Sequence, residues 1–216
     1  MPDSPTSPAP PALPLPRRVI LFSGHMVDAP DRAAPRFPPA GVPAAAHRIA
    51  SALDQLRAGP DDLGLTQGAA GGDLLFAEAA QERGMALQFL QPFSEAEFIE
   101  RSVRPVCDGD DWVARYRAVA ARLANPPQVM PASASCAQAG SGPNAPPDDN
   151  PFERCNRWLL DTALARGGDQ VWLLCLWDGQ GGDGAGGTAH MVGEVQRHHG
   201  HVIHIDCRRL WQGAGP

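Results

Sequence analysis

Three short stretches of this chain carry the residue types from which a polar binding site or an acid–base pair can be built. Ser23-Gly24-His25-Met26-Val27-Asp28 sets a hydroxyl, an imidazole and a carboxylate close together. His25 and Asp28 can hydrogen-bond a sugar or base, or act as acid and base; equally, both can satisfy loop backbone. Gly68-Ala69-Ala70-Gly71-Gly72-Asp73 is a run of small residues ending in a carboxylate. Where such a run opens a helix, a ligand can approach N–H groups of partial positive charge, which suits phosphate. Its other use is a tight turn with Asp73 as helix N-cap. Gly181-Gly182-Asp183-Gly184-Ala185-Gly186-Gly187-Thr188 offers the same choice: Gly186, Gly187 and Thr188 meet an anion, or the stretch is a surface loop. Arg36 adds a guanidinium able to fork onto phosphate, or stands as an ordinary exposed Arg.

Other clusters carry less. The 68–73 spacing is not the dinucleotide pattern G-x-G-x-x-G, and no acidic residue follows the next strand where a ribose partner would stand. His198, His199, His201 and His204 have no carboxylate or Cys at ligand spacing, so no metal site and no cofactor are expected. Asp108, Asp110 and Asp111 lack the calcium-loop pattern and read as a solvated helix start. Trp158, Trp172 and Trp177 read as core.

The elements that must position these residues follow from apolar runs and breakers. Val19-Ile20-Leu21-Phe22, stopped by Ser23-Gly24, is a buried strand. A Pro-rich loop (29–43) leads to a helix near 44–58, a strand at 63–67, and the Gly68–Asp73 turn into a helix at 74–83. Strand 85–90 precedes Ser94 and Glu97, a capping box opening a helix near 95–103, and a further helix spans 111–123. A helix at 152–165 leads to Val171–Trp177, the most apolar run of the chain; a helix from 188 and a strand at 201–206 complete the pattern. Asp178 sits at the end of the 171–177 run, in the approach to the third turn. Apolar strands alternating with helices predict an α/β, Rossmann-like three-layer sandwich with a mainly parallel sheet of about five strands. In such sheets ligands bind beyond the carboxyl ends of the strands, which is where all three turns fall. Residues 1–16 read as a disordered Pro-rich leader, 17–208 as one domain with a flexible insertion at 125–150, and 209–216 as a tail.

Composition narrows the chemistry further. All 18 cationic residues are Arg, which removes a P-loop Lys and any Lys nucleophile or Schiff base. A net charge of −6 argues against broad nucleic-acid or anionic-membrane binding. No apolar run approaches the roughly 20 residues of a membrane span, and no secretory signal is expected. Five scattered cysteines without a C-x-x-C suit a reducing cytoplasm.

Ser23-Gly24-His25, the run from Gly68-Ala69-Ala70-Gly71-Gly72-Asp73 into Leu74–Ala80, and Gly184-Ala185-Gly186-Gly187-Thr188 together resemble the SLOG superfamily. That group includes the LOG phosphoribohydrolases and the DNA-processing protein A fold, and the resemblance covers about residues 18–206. It implies a Rossmann-like domain binding a nucleotide or nucleotide derivative, and by analogy a homodimer and a place in bacterial signalling. In LOG enzymes a Glu follows the Gly-Gly-x-Gly-Thr element closely. Here His190 and Met191 occupy those positions and Glu194 lies further along the helix, which disfavours LOG-type hydrolysis.

The expected ligand-binding set is Ser23, Gly24, His25, Asp28, Arg36, Gly71, Gly72, Asp73, Asp178, Gly186, Gly187 and Thr188. The leading expectation is a cytoplasmic nucleotide sensor or effector module. One alternative is a glycosidic-bond hydrolase using His25, Asp28 or Asp73, with Glu78 or Glu194 in reserve. Another is a protein-interaction module working through the leader or the insertion.

Overall fold

Strands that are apolar on both sides need cover on both faces, and the computed structural model, which describes residues 15–131, 150–180 and 188–211, supplies it. Its strands are β1 (Arg18–Gly24), β2 (Asp62–Thr66), β3 (Ala86–Gln91), β4 (Gln128–Val129), β5 (Val171–Trp177) and β6 (His201–Asp206). They form one parallel sheet in the order β4-β3-β2-β1-β5-β6. The principal helices are α1 (Val42–Gln55), α2 (Gly72–Glu82), α3 (Glu95–Phe98), α4 (Gly109–Ala120), α5 (Pro151–Leu164), α6 (Thr188–Arg197) and α7 (Arg208–Trp211). Among the described residues no helix is long and apolar enough to cross a membrane.

Alternate residues of each strand face opposite layers. Ile20 and Phe22 of β1, Phe89 of β3 and Leu174 and Leu176 of β5 share one core with α1, α2 and α4. Val19, Leu21, Leu63, Leu65, Leu173 and Cys175 share the other with Leu159, Leu160 and Ala163 of α5 and Met191 and Val195 of α6. The expected Rossmann-like sandwich is therefore present, with six strands rather than five.

The extra strand is β4. Gln128 and Val129 lie in the stretch read as a flexible insertion (125–150), and they pair with Leu90 and Gln91 at the sheet edge. Two exposed residues carry no periodicity of their own, so only the neighbouring strand reveals them. The rest of that stretch, 132–149, lies outside the described residues, as does most of the leader. The helix expected near 95–103 changes pitch partway: after α3, Ile99–Val103 forms a π-helical turn. Part of the expected tail forms α7.

At the amino ends of β1 and β2, opposite the carboxyl rim of the sheet, Asp62 is a buried anchor. Its carboxylate accepts hydrogen bonds from Arg17 (2.7 and 3.1 Å), Arg18 (2.8 and 3.1 Å) and the Gly59 N–H (3.1 Å). Burial alone would raise its pKa, but the two guanidinium groups and the Gly59 amide outweigh burial and hold it down at about 2. A carboxylate held below its unfolded value stabilises the fold above that value and loses the effect as pH falls through the folded one. Asp62→Asn is expected to lower stability by about 2 kcal/mol at neutral pH. The gap to wild type should close as pH falls from about 4 toward 2, as read by urea unfolding followed by circular dichroism.

Candidate functional site

Chain direction through the sheet determines where a ligand can enter. From β1 the chain moves through β2 and β3 to β4; from there it returns to the other side of β1 as β5 and β6. Connections leaving β1 and β5 diverge to opposite faces, which opens a crevice between their carboxyl ends. A cavity of about 770 Å³ occupies that position. It gathers the end of β1, the β2–α2 turn, the start of α6, the first turn of α5 and the π-helical turn.

Across the crevice, Ser23 Oγ of β1 lies 2.9 Å from Thr188 Oγ1, the first residue of α6. Both are buried and both line the cavity. His25, two residues past Ser23, is fixed by its N–H donating to Leu176 C=O of β5 (3.0 Å). Its Nδ1 lies 2.6 Å from an Arg36 Nη. Nε2 faces Asp178, whose N–H lies at 3.2 Å and whose Oδ1 lies at 3.5 Å. Burial would raise the Asp178 pKa, but the Gln180 N–H and the neighbouring His25 and Arg36 outweigh it and hold the carboxyl below its ordinary value.

Asp28 is a fastening rather than an open base. Its carboxylate accepts from the Arg36 N–H (3.0 Å) and the Phe37 N–H (3.1 Å) and pairs with Arg32 (3.3 Å), closing the loop that carries Arg36.

At the β2–α2 turn the expectation of a phosphate cradle needs correction. Gly72 N–H donates to His25 C=O (3.1 Å), and Gly68 and Ala69 N–H donate to Asp73 Oδ2 (3.2 and 3.3 Å). The side chain of Asp73 thus occupies the place an incoming anion would take. Gly71, at φ +108°, lies against the segment leaving β1 so closely that a Cβ would fall 2.7 Å from Val27 N. That contact is why small residues stand here. Gly71 and Gly72 pack the turn and do not line the cavity. Neither is Asp73 the N-cap, which is Gly71.

Asp73 itself lines the cavity and is 7% exposed. Burial pushes its pKa up to about 6, against the opposing pull of the Thr66 hydroxyl and the Gln67, Gly68 and Ala69 amides. It is therefore a carboxyl poised to change protonation near neutrality.

The cavity brings together Ser23, Gly24, His25, Asp28, Arg36 and Asp73 with Thr188. Asp178 stands behind His25. Gly186 and Gly187 fall within 181–187, outside the described residues. The reserve candidates are elsewhere: Glu78 is tied to Arg115 of α4 (2.7 Å), and Glu194 pairs with Arg197 and faces His190 at 4.0 Å. Neither lines the cavity, because α2 and α6 turn those positions away from the rim. Met191 is fully buried in the core.

Sequence reasoning missed the far wall. Gln67, Ser102, Asn150, Phe152 and Asn156 all line the cavity. Gln67 Nε2 donates to Asn156 Oδ1 (2.6 Å), and Asn150 caps α5 by accepting from Phe152 N–H (3.0 Å). Only the cap has a local signature, an Asn followed by Pro. No protein-family model and no curated protein matches the chain.

Because the folded pKa of Asp73 lies above its unfolded value, ionising it opposes folding: the native state binds the extra proton between about pH 4 and 6, and stability falls as pH rises through that window. Asp73→Asn removes the titration. The stability of the variant relative to wild type is expected to rise between pH 4 and 7, by up to about 3 kcal/mol. Thermal melts of the two proteins across that range measure it, and a constant difference would contradict the placement of Asp73.

Proposed function

We propose that the chain binds a nucleotide or nucleotide-derived small molecule at the carboxyl rim of its sheet, as a cytoplasmic sensor or effector module. The observation that carries this reading is the Ser23–Thr188 hydroxyl pair, 2.9 Å apart at the mouth between β1 and β5, inside a cavity of about 770 Å³. Ligands of open α/β sheets bind at that switch point. Thr188 starts a ten-residue helix, whose amino end carries a partial positive charge on that side of the cavity. Arg32 and Arg36 line the same cavity and add cationic character. A phosphate belongs at this end, away from the Asp73 carboxyl, which suits a sugar hydroxyl.

Titration calorimetry of the full chain against mononucleotides, cyclic nucleotides and ADP-ribose derivatives tests the reading. Saturable binding of at least one of them is expected, and Thr188→Val should weaken it about tenfold. Absence of heat from every compound at millimolar concentration would overturn it.

A second reading is supported by Asp73, a cavity carboxyl raised to about 6. Such a group can exchange protons with a reacting glycosidic bond or an attacking water near neutral pH. Hydrolysis predicts that free base appears on incubation with a bound nucleotide, as chromatography would detect. Asp73→Asn should then abolish release, by about a hundredfold or more, while binding persists. Binding without release leaves the sensor reading alone standing.

A further inference from the structure

Ser102 is 2% exposed and lines the cavity, and its Oγ has no hydrogen-bond partner among the described residues. Buried hydroxyls ordinarily find partners, and one left without a partner in a cavity wall is suited to a ligand. Ser102 is not on a loose loop. Its C=O accepts the Ala70 N–H at 2.9 Å, which ties it to the β2–α2 turn. It also belongs to the π-helical turn Ile99–Val103, a conformation common at functional sites.

Around it the lining mixes two charged groups, Glu153 and an Arg101 that pairs with Glu97 (3.1 Å), with uncharged ones. Gln67 and Asn156 are joined by their 2.6 Å amide contact, and Phe152 stands edge-on to Phe93 with ring centroids 5.5 Å apart. Amides and a hydroxyl each present both donors and acceptors without net charge, and an aromatic ring offers an apolar face. That chemistry recognises a flat, uncharged, hydrogen-bonding ring. From the end of β5 to the end of β2 is two strand spacings, about 10 Å, comparable with the reach of a nucleoside monophosphate from phosphate to base.

Building on the proposed nucleotide binding, we infer that Ser102, with the Gln67–Asn156 amide pair, reads the nucleobase while the phosphate end lies at the Ser23–Thr188 crevice. The ligand thereby runs along the rim from β5 to β2. A nucleoside monophosphate satisfies both ends; a bare sugar phosphate satisfies only one.

The experiment compares ribose 5-phosphate with AMP, GMP, CMP and UMP by calorimetry, on wild type and Ser102→Ala. The substitution removes one unpartnered atom, and an unchanged thermal melt verifies the fold. At least one nucleotide is expected to bind wild type about tenfold or more tighter than ribose 5-phosphate. Ser102→Ala should remove about that factor and leave ribose 5-phosphate unchanged. Equal affinity for nucleotides and ribose 5-phosphate overturns the inference and leaves nucleotide binding intact, as does a nucleotide affinity indifferent to Ser102→Ala. Absence of binding by all five compounds overturns the inference, and overturns nucleotide binding as well if cyclic nucleotides and ADP-ribose derivatives also give no heat.

Discussion

Two backbone hydrogen bonds hold the rim together: Gly72 N–H to His25 C=O (3.1 Å) and Val27 N–H to Ala70 C=O (3.2 Å). They lock the β2–α2 turn antiparallel against the segment leaving β1, through the bridge between Met26 and Gly71. Close approach of two backbones demands the absence of a side chain at Gly71 and a backbone conformation that L residues avoid. With the turn so fixed, Asp73 is drawn over the Gly68 and Ala69 amides, while the Ala70 and Gly72 amides are taken up by the Ser102 and His25 carbonyls. The same bridge holds His25 in the crevice, where its ring connects the β1 end to the β5 end through Asp178.

Charge across the rim is consequently uneven. At the β1–β5 side, Arg36 and Asp178 meet on opposite nitrogens of one imidazole, and α6 begins at Thr188. Next to it, Asp73 is a carboxyl whose burial opposes ionisation. Beyond it, the β2–α5 side carries the uncharged polar groups of Gln67, Ser102 and Asn156 together with one charge of each sign, Arg101 and Glu153. A cavity that gathers Arg32 and Arg36 at one end and amides with a balanced pair of charges at the other favours an elongated ligand with a charged end and an uncharged one over a compact anion.

Much of the fold was legible in the residues alone. Non-alternating runs such as Val19–Phe22 and Val171–Trp177 can only be covered on both faces, and the breakers between them leave room for helices. The turns after β1 and β2 were legible as well, since strands of a parallel sheet present their carboxyl ends on one rim; the third falls on 181–187, outside the described residues. Gly68–Asp73 was misread in its detail: the same small residues serve a ligand or a neighbouring backbone, and their spacing does not distinguish the two. Glu78 and Glu194 looked available because helical phase relative to the rim is a tertiary property.

What the sequence determined by itself was local: strand and helix periods, the capping of α5, and the gathering of polar residues at strand ends. Which strands stand side by side, and so which turns share one cavity, was decided by the return of the chain from β4 to the other side of β1. That choice brings Ser23 to Thr188 across 165 positions and Gln67 to Asn156 across 89. Such pairs have no common period or motif, because the crossing of α5 beneath the sheet, not adjacency along the chain, sets their distance. The 2% exposure of Ser102 likewise arises from packing between elements, which is why its place in the cavity wall was invisible until the chain was folded.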